Sequence, residues 1–226
     1  MCTKIFIVRH AETVGNIEKR LTGRKDYELT PKGEKSVESL AKYLNNIDFD
    51  KFYSSMSERT KKTIAPLATK NSKEITQLEE LDEMYFGIYD GWKWEDVNKV
   101  QPEIKQNQNM TNEICGIPEQ ETTKEVAERM YKCITKIAKE NYGKTILICS
   151  HGVAIEAFLR KITKDSFYIK RKEYCQHNVA LNELEFKNNK YIIKQLANTD
   201  YLLWKWRRNK NAQFKRTINI CYSTNF

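Results

Sequence analysis

Lys4-Ile5-Phe6-Ile7-Val8-Arg9-His10-Ala11-Glu12-Thr13 and Thr145-Ile146-Leu147-Ile148-Cys149-Ser150-His151-Gly152 repeat one pattern. Each is a short apolar run, rich in β-branched residues, that ends on a histidine. Such runs read as strands buried on both faces, as in a parallel sheet. The chain has three histidines, and two of them close such runs. In open α/β sheets, ligands bind just beyond the carboxyl ends of the strands. If both strands belong to one sheet, His10 and His151 face each other across one site. A lone histidine at a strand end is more often a hydrogen-bonded polar residue than a catalyst. The pairing argues against that reading here, as do the segments between the two runs.

Working outward, the chain alternates strands and helices. Pro31–Ile47 reads as a helix, with Thr30 as N-cap and Pro31 where a missing N–H costs nothing. Its apolar face is Val37, Leu40, Ala41 and Leu44. Phe49–Tyr53 reads as a strand. Ser57–Lys70 reads as a second helix, kinked or shortened near Pro66. A short strand begins near Glu74 and leads into Leu81-Asp82-Glu83-Met84-Tyr85-Phe86-Gly87-Ile88-Tyr89-Asp90-Gly91-Trp92. Thr122-Thr123-Lys124-Glu125 is a capping box. It opens a helix to about Tyr142, stopped by Gly143. Gly152–Lys161 is a further helix. Asn178–Phe186 and Tyr191–Leu196 flank Lys187-Asn188-Asn189-Lys190 as a hairpin. Gln101–Gln120 is polar and too long for a minimal connection, so it reads as a lid or specificity segment.

Taken in order, these motifs resemble the histidine phosphatase superfamily, which includes the phosphoglycerate mutases. Arg9 and His10, Arg59, Glu83, and His151 with Gly152 match that family's motifs in sequence. Asn16, Thr22-Gly23 and the Leu29-Thr30-Pro31-Lys32-Gly33 turn match as well. Ala11 departs from the family's glycine, a change tolerated unless that backbone needs positive φ. The resemblance covers roughly residues 3 to 203. It implies an α/β fold of three layers, with a mostly parallel central sheet and helices on both faces. It also implies a phosphatase domain over 1–203 and leaves 204–226 as a basic C-terminal tail.

The composition suits such an enzyme. The chain has 226 residues, 40% of them hydrophobic and 31% charged. That suffices for one α/β domain and excludes wholesale disorder. No apolar run approaches the roughly 20 residues of a membrane helix, and Ile5 already lies in a strand, leaving no room for a signal peptide. Six scattered cysteines lack any Cys-x-x-Cys pair and read as reduced thiols of a cytoplasmic protein. Of the net charge of +9, six bases and no acids fall after residue 203, so the body is only mildly basic.

The chemistry follows from the same residues. Phosphomonoesters repel nucleophiles, so the protein's task is positioning and charge stabilisation. Arg9 at a strand end and Arg59 in the first turn of a helix can grip phosphate oxygens, with the helix N–H donors assisting. The resemblance makes His10, facing solvent, the nucleophile of a phosphohistidine intermediate. It makes His151 a donor to the equatorial oxygens and Glu83 the general acid, amid Phe86, Tyr89 and Trp92. Asp82 is the rival acid. Arg9, Asn16, Thr22, Gly23, Arg59, Glu83 and Gly152 form the substrate-binding set. His177 reads as structural or peripheral, and no residue spacing suggests a metal.

The expected activity is that of a histidine acid-type phosphatase on a small phosphate ester, releasing inorganic phosphate, with no cofactor and no metal. Glu83 lies closer to His151 than the corresponding pair in mutases, and only Lys105 among 101–120 is basic. Mutase-type transfer is the alternative, and a catalytically idle binding module a further one. No membrane partner is expected. Nucleic acid would find only the tail, where Trp204-Lys205-Trp206-Arg207-Arg208 interleaves aromatics and bases. A homodimer is compatible with this reading.

Overall fold

A computed structural model of the protein describes residues 1–104, 116–166 and 172–202. Its first strand, β1 (Thr3–Arg9), lies fourth in a six-stranded sheet counted from the edge opposite the hairpin.

 The sheet order is β3 (Ile75–Gln77), β2 (Lys51–Ser54), β4 (Thr145–Ser150), β1, β5 (Leu181–Lys187), β6 (Lys190–Asn198). The strands β3, β2, β4 and β1 run parallel, while β5 pairs antiparallel with β1, and β6 with β5.

Side chains of a strand alternate between faces, and here they split the core in two. Ile5, Ile7, Ile146 and Ile148 pack on one face. Against them lie α5 (Thr123–Glu140), through Val126, Met130, Ile134, Ile137 and Ala138, and α6 (Gly152–Thr163). Phe6, Val8, Leu147 and Cys149 face the other way. They meet α2 (Pro31–Tyr43), through Val37 and Leu40, and α3 (Glu58–Lys70), through Ile64 and Leu67. The three layers expected from the sequence are therefore present. Two short helices, α1 (Val14–Ile17) and α4 (Trp94–Val100), lie outside this sandwich of layers in the connections.

The local signals act as expected at most element ends. Thr30 accepts a bond from the Gly33 N–H and caps α2. Thr122 and Glu125 exchange both bonds of a capping box. The hairpin turn places Asn188 and Asn189 at φ of 52° and 58°, as a two-residue turn of this hand requires. Several boundaries differ. The helix begun at Pro31 ends at Tyr43, not Ile47, because the asparagine-rich Leu44–Ile47 stretch closes as a turn. By contrast, the helix after Ser57 reaches its expected end at Lys70, with Pro66 inside it. Lys62, whose carbonyl loses its partner at Pro66, is exposed to water. The strand expected from Asn178 starts at Leu181, because the preceding residues turn back onto β1.

Tyr201 stacks on Tyr43 with ring centroids 4.7 Å apart, and Leu202 is buried in the second core. The tail 204–226 and the 105–115 part of Gln101–Gln120 lie outside the described residues. The described ends of that segment are anchored: Ile104 and Ile117 are buried, and Gln120 bridges Phe86. Among the described residues, no helix is long and apolar enough to cross a membrane.

Candidate active site

Adjacent parallel strands β1 and β4 end together, Arg9 opposite Ser150. The next residue of each is a histidine, and the His10 N–H donates to Ser150 O at 3.0 Å. The rings of His10 and His151 are 5.2 Å apart between centroids. The sheet thus brings together two residues 141 positions apart in sequence.

His10 is not the solvent-facing residue expected at a strand end; it is 1% exposed. Its Nδ1 lies 2.8 Å from Ala11 O. A carbonyl only accepts, so Nδ1 carries the proton and the neutral ring keeps its lone pair on Nε2. Burial, then the charges of Arg9 and Arg59, hold this imidazole well below the ordinary histidine pKa, against the opposing bond to Ala11. Ala11 is not among the residues with positive φ, which is why alanine serves where the family has glycine. Its N–H donates to Thr63 Oγ1 at 2.9 Å.

The turn before β5 fastens the backbone of Arg9 and His10. Asn178 Nδ2 donates to His10 O and to Asn16 Oδ1, each at 3.1 Å. The Val179 N–H donates to Arg9 O at 3.1 Å, and Tyr201 donates to Val179 O. Val179 has φ of 52°, a strained conformation for a β-branched residue. Asn16 Oδ1 also accepts from the Thr13 N–H and hydroxyl, so the amide group left to face a ligand is its NH₂.

Two guanidiniums flank the histidines. Arg9 Nη1 donates to Gln176 O at 2.6 Å. Gly152 lies flat against it: a Cβ there would stand 3.4 Å from Arg9 Cζ. Arg59 is buried and reaches out to the Thr22–Asp26 loop, donating to Gly23 O at 2.8 Å, Lys25 O at 2.8 Å and Asp26 Oδ1 at 3.0 Å. Its Nε and that of Arg9 are buried without a hydrogen-bond partner among the described residues. Orphaned buried donors are costly, and an oxyanion is the kind of ligand that satisfies such donors.

Two backbone donors near the site are already spent within the protein. The first N–H of α3 is not free for an anion, since Glu58 N donates to Asp26 Oδ2. Nor is Gly23 N–H free for a substrate: it donates to Asp90 Oδ1 at 2.7 Å. Thr22 contributes its carbonyl to Arg59 at 3.3 Å.

Glu83 sits at the N-terminus of α6. Its carboxylate accepts from Val153 N at 3.1 Å and from Ala154 N and Met84 N at 2.9 Å each. These backbone groups, rather than the aromatic residues 86, 89 and 92, are its hydrogen-bond partners. Asp82 turns elsewhere and accepts from Met56 N at 2.9 Å. His177 is exposed, in keeping with a peripheral role. Sequence reading passed over Ser55, Asp26 and Asn178 as site residues, because each acts through a contact distant in sequence. Among the described residues, no group of three or more His, Cys, Asp or Glu could hold a metal ion.

Comparison with known proteins gives a consistent result. The model of the histidine phosphatase superfamily (branch 1) matches residues 5–199. The uncharacterized phosphatase PhoE of Bacillus subtilis is 26% identical over 192 residues, covering 85% of this chain and 93% of that one. A metal-independent phosphoserine phosphatase of Arabidopsis thaliana is 26% identical over 203 residues, covering 88% of this chain and 83% of its own. The solved structure of Bacillus stearothermophilus YhfR superposes with a TM-score of 0.84 at 21% identity, covering 88% of this chain and 99% of that one.

Proposed function

The chain belongs to the histidine phosphatase superfamily, branch 1, and on that premise we propose that it hydrolyses small phosphomonoesters through a phosphohistidine formed on His10. The observation that carries this reading is the state of His10. Its Nδ1–H is pinned to Ala11 O, and its ring is held neutral by burial and two arginines. The Nε2 lone pair is therefore ready to attack phosphorus.

The ester's phosphate lies between Arg9 and Arg59, whose Nε–H groups lack other partners. Asn16 adds its NH₂ group, Thr22 and Gly23 line the site through their hold on Arg59, and Gly152 gives the Arg9 guanidinium room. His10 Nε2 forms a bond to phosphorus as the ester P–O bond breaks. Glu83 delivers the proton that the departing alkoxide takes up. Glu83 then takes a proton from water, whose oxygen attacks the phosphohistidine. The N–P bond breaks, inorganic phosphate leaves, and the next cycle starts from the same protonation state. His151 stabilises charge on the equatorial oxygens.

The arginines supply the positive charge that the phosphoryl group needs, so this reaction requires no metal or cofactor. The low affinity of His10 for protons supports acid-type behaviour, with turnover persisting below the usual histidine range. Free thiols at Cys2, Cys133, Cys149 and Cys175 suit the cytoplasm, which we include in the proposal. The substrate class is a small phosphorylated metabolite, in line with the phosphoserine phosphatase among the relatives.

Labelling with an alkaline quench tests this reading, since a histidine N–P bond survives base and not acid. A ³²P-labelled monoester should leave acid-labile phosphate on the wild type at His10, and His10→Ala should lose both label and turnover. A variant that keeps most of its activity would overturn the assignment.

A further inference from the structure

His151 is the N-cap of α6 and is fully buried, and both of its ring nitrogens are engaged. Arg59 Nη2 lies 3.1 Å from Nδ1, and Ser55 Oγ lies 2.8 Å from Nε2. A guanidinium has donors only. Nδ1 must therefore accept, and the proton of the neutral ring is on Nε2, directed at Ser55.

The serine has its own assignment. Thr60 Oγ1 donates to Ser57 O at 2.6 Å, so in its 2.8 Å contact with Ser55 Oγ it accepts. Ser55 thus donates to Thr60. The Ser57 N–H, 3.3 Å from Ser55 Oγ, fills the serine's second acceptor site. Every hydrogen in the chain His151–Ser55–Thr60–Ser57 points the same way.

We propose that Ser55, backed by Thr60, is a positioning residue for phosphoryl transfer: it keeps the His151 proton on Nε2 and leaves Nδ1 to receive the proton of a phosphomonoester monoanion. This rests on the phosphatase reading above. When the monoanion binds, the Arg59 Nη2–H that faced Nδ1 turns to a phosphate oxygen, and the P–O–H proton passes to the freed Nδ1. The resulting Nδ1–H donates back to the same phosphate oxygen, and the ester becomes a dianion. The Nε2–H bond to Ser55 is unchanged, so the ring gains charge without turning. The charged and titratable groups around His151 are Arg59 from α3, Arg9 and His10 from the end of β1, and Arg129 from α5. With burial, they keep the free ring neutral, and the bound phosphate offsets them.

The test uses ¹⁵N imidazole spectra of the full chain, with His10→Gln and His177→Gln used for assignment. In the free enzyme, His151 should be protonated at Nε2 alone; with inorganic phosphate bound at low pH, Nδ1 should gain a proton. Thr60→Val removes the acceptor of the Ser55 proton, so that proton should turn to Nε2 and populate the Nδ1–H form. Thr60→Ser should leave the wild-type spectrum intact. Ser55→Ala should lower kcat by about 10–100-fold, the range for losing a group that orients another, with little change in KM. The acid side of its pH profile should shift as well. Should Ser55→Ala not fold, the wild-type and Thr60 spectra decide the matter. An Nδ1–H form in the free wild type, or a Thr60→Val spectrum like the wild type, would overturn the proposal. Failure of the wild type to turn over any monoester would instead overturn the phosphatase reading, since the spectra do not depend on turnover.

Discussion

At the scale of single residues, the chemistry divides between two carboxylates that are neighbours in sequence. Glu83 lies on the N–H groups of Val153 and Ala154, one turn from His151, whereas Asp82 is tied to Met56 N. A group that protonates a leaving alkoxide matters most when the leaving group is poor. Glu83→Gln should therefore slow alkyl phosphates far more than p-nitrophenyl phosphate, by about 10²–10⁴-fold on the former, the usual worth of general acid catalysis. Asp82→Asn should spare that difference. Steady-state rates on the two substrates check it, and equal losses from Glu83→Gln on both would remove Glu83 from the role. The glutamate and both histidines were legible in the sequence as motif residues. The protonation states of the two histidines were not, because these depend on whether the facing atom is a carbonyl, a guanidinium or a hydroxyl.

At the scale of elements, the Thr22–Asp26 loop is held at both ends. Asp90 accepts from Gly23, Arg24 and Lys25 N–H groups, and Asp26 binds both Arg59 and the first N–H of α3. Gly23 is packed so closely that a Cβ would stand 2.4 Å from Asp90 Oδ1 and 2.6 Å from Met84 O. The second contact is with backbone and cannot swing aside. Gly23→Ala should destabilise the protein by about 1–3 kcal/mol, as overpacking does. It should also reduce turnover, because the loop carbonyls that hold Arg59 must shift. Denaturant melts and kinetics on one monoester check both effects; an unchanged kcat would mean that the loop does not govern Arg59. Element ends with strong local chemistry, such as Thr30, Thr122 and Asn188-Asn189, were readable in advance. The extent of helix α3 to Lys70 was readable too, but its passage through Pro66 without shortening was not, because the exposure that makes a lost hydrogen bond cheap is a tertiary property.

At the scale of the whole molecule, the core closes at Tyr201 and Leu202. Tyr201 donates to Val179 O, and Val179 N in turn holds Arg9 O, so the end of the described chain is fastened to the strand that carries His10. We therefore expect a chain ending at Leu203 to keep its melting temperature and its rate on a small monoester. Leu202→Ala in the full chain should cost about 2–5 kcal/mol through the cavity it leaves. Thermal melts and rates on the two proteins check this, and a folded truncation with much reduced turnover would give the basic tail a part at the active site. The sequence by itself determined the layered α/β fold, the alternation that splits the core, and the identity of the residues at the ends of β1 and β4. Periodicity and composition are local, and they carry that much. Only the tertiary structure decided that His10 is buried, that Arg59 and Gly23 spend donors within the protein, and that His151 is oriented by a hydroxyl chain. Those outcomes depend on which donor meets which acceptor across the fold, and spacing along one chain does not encode that.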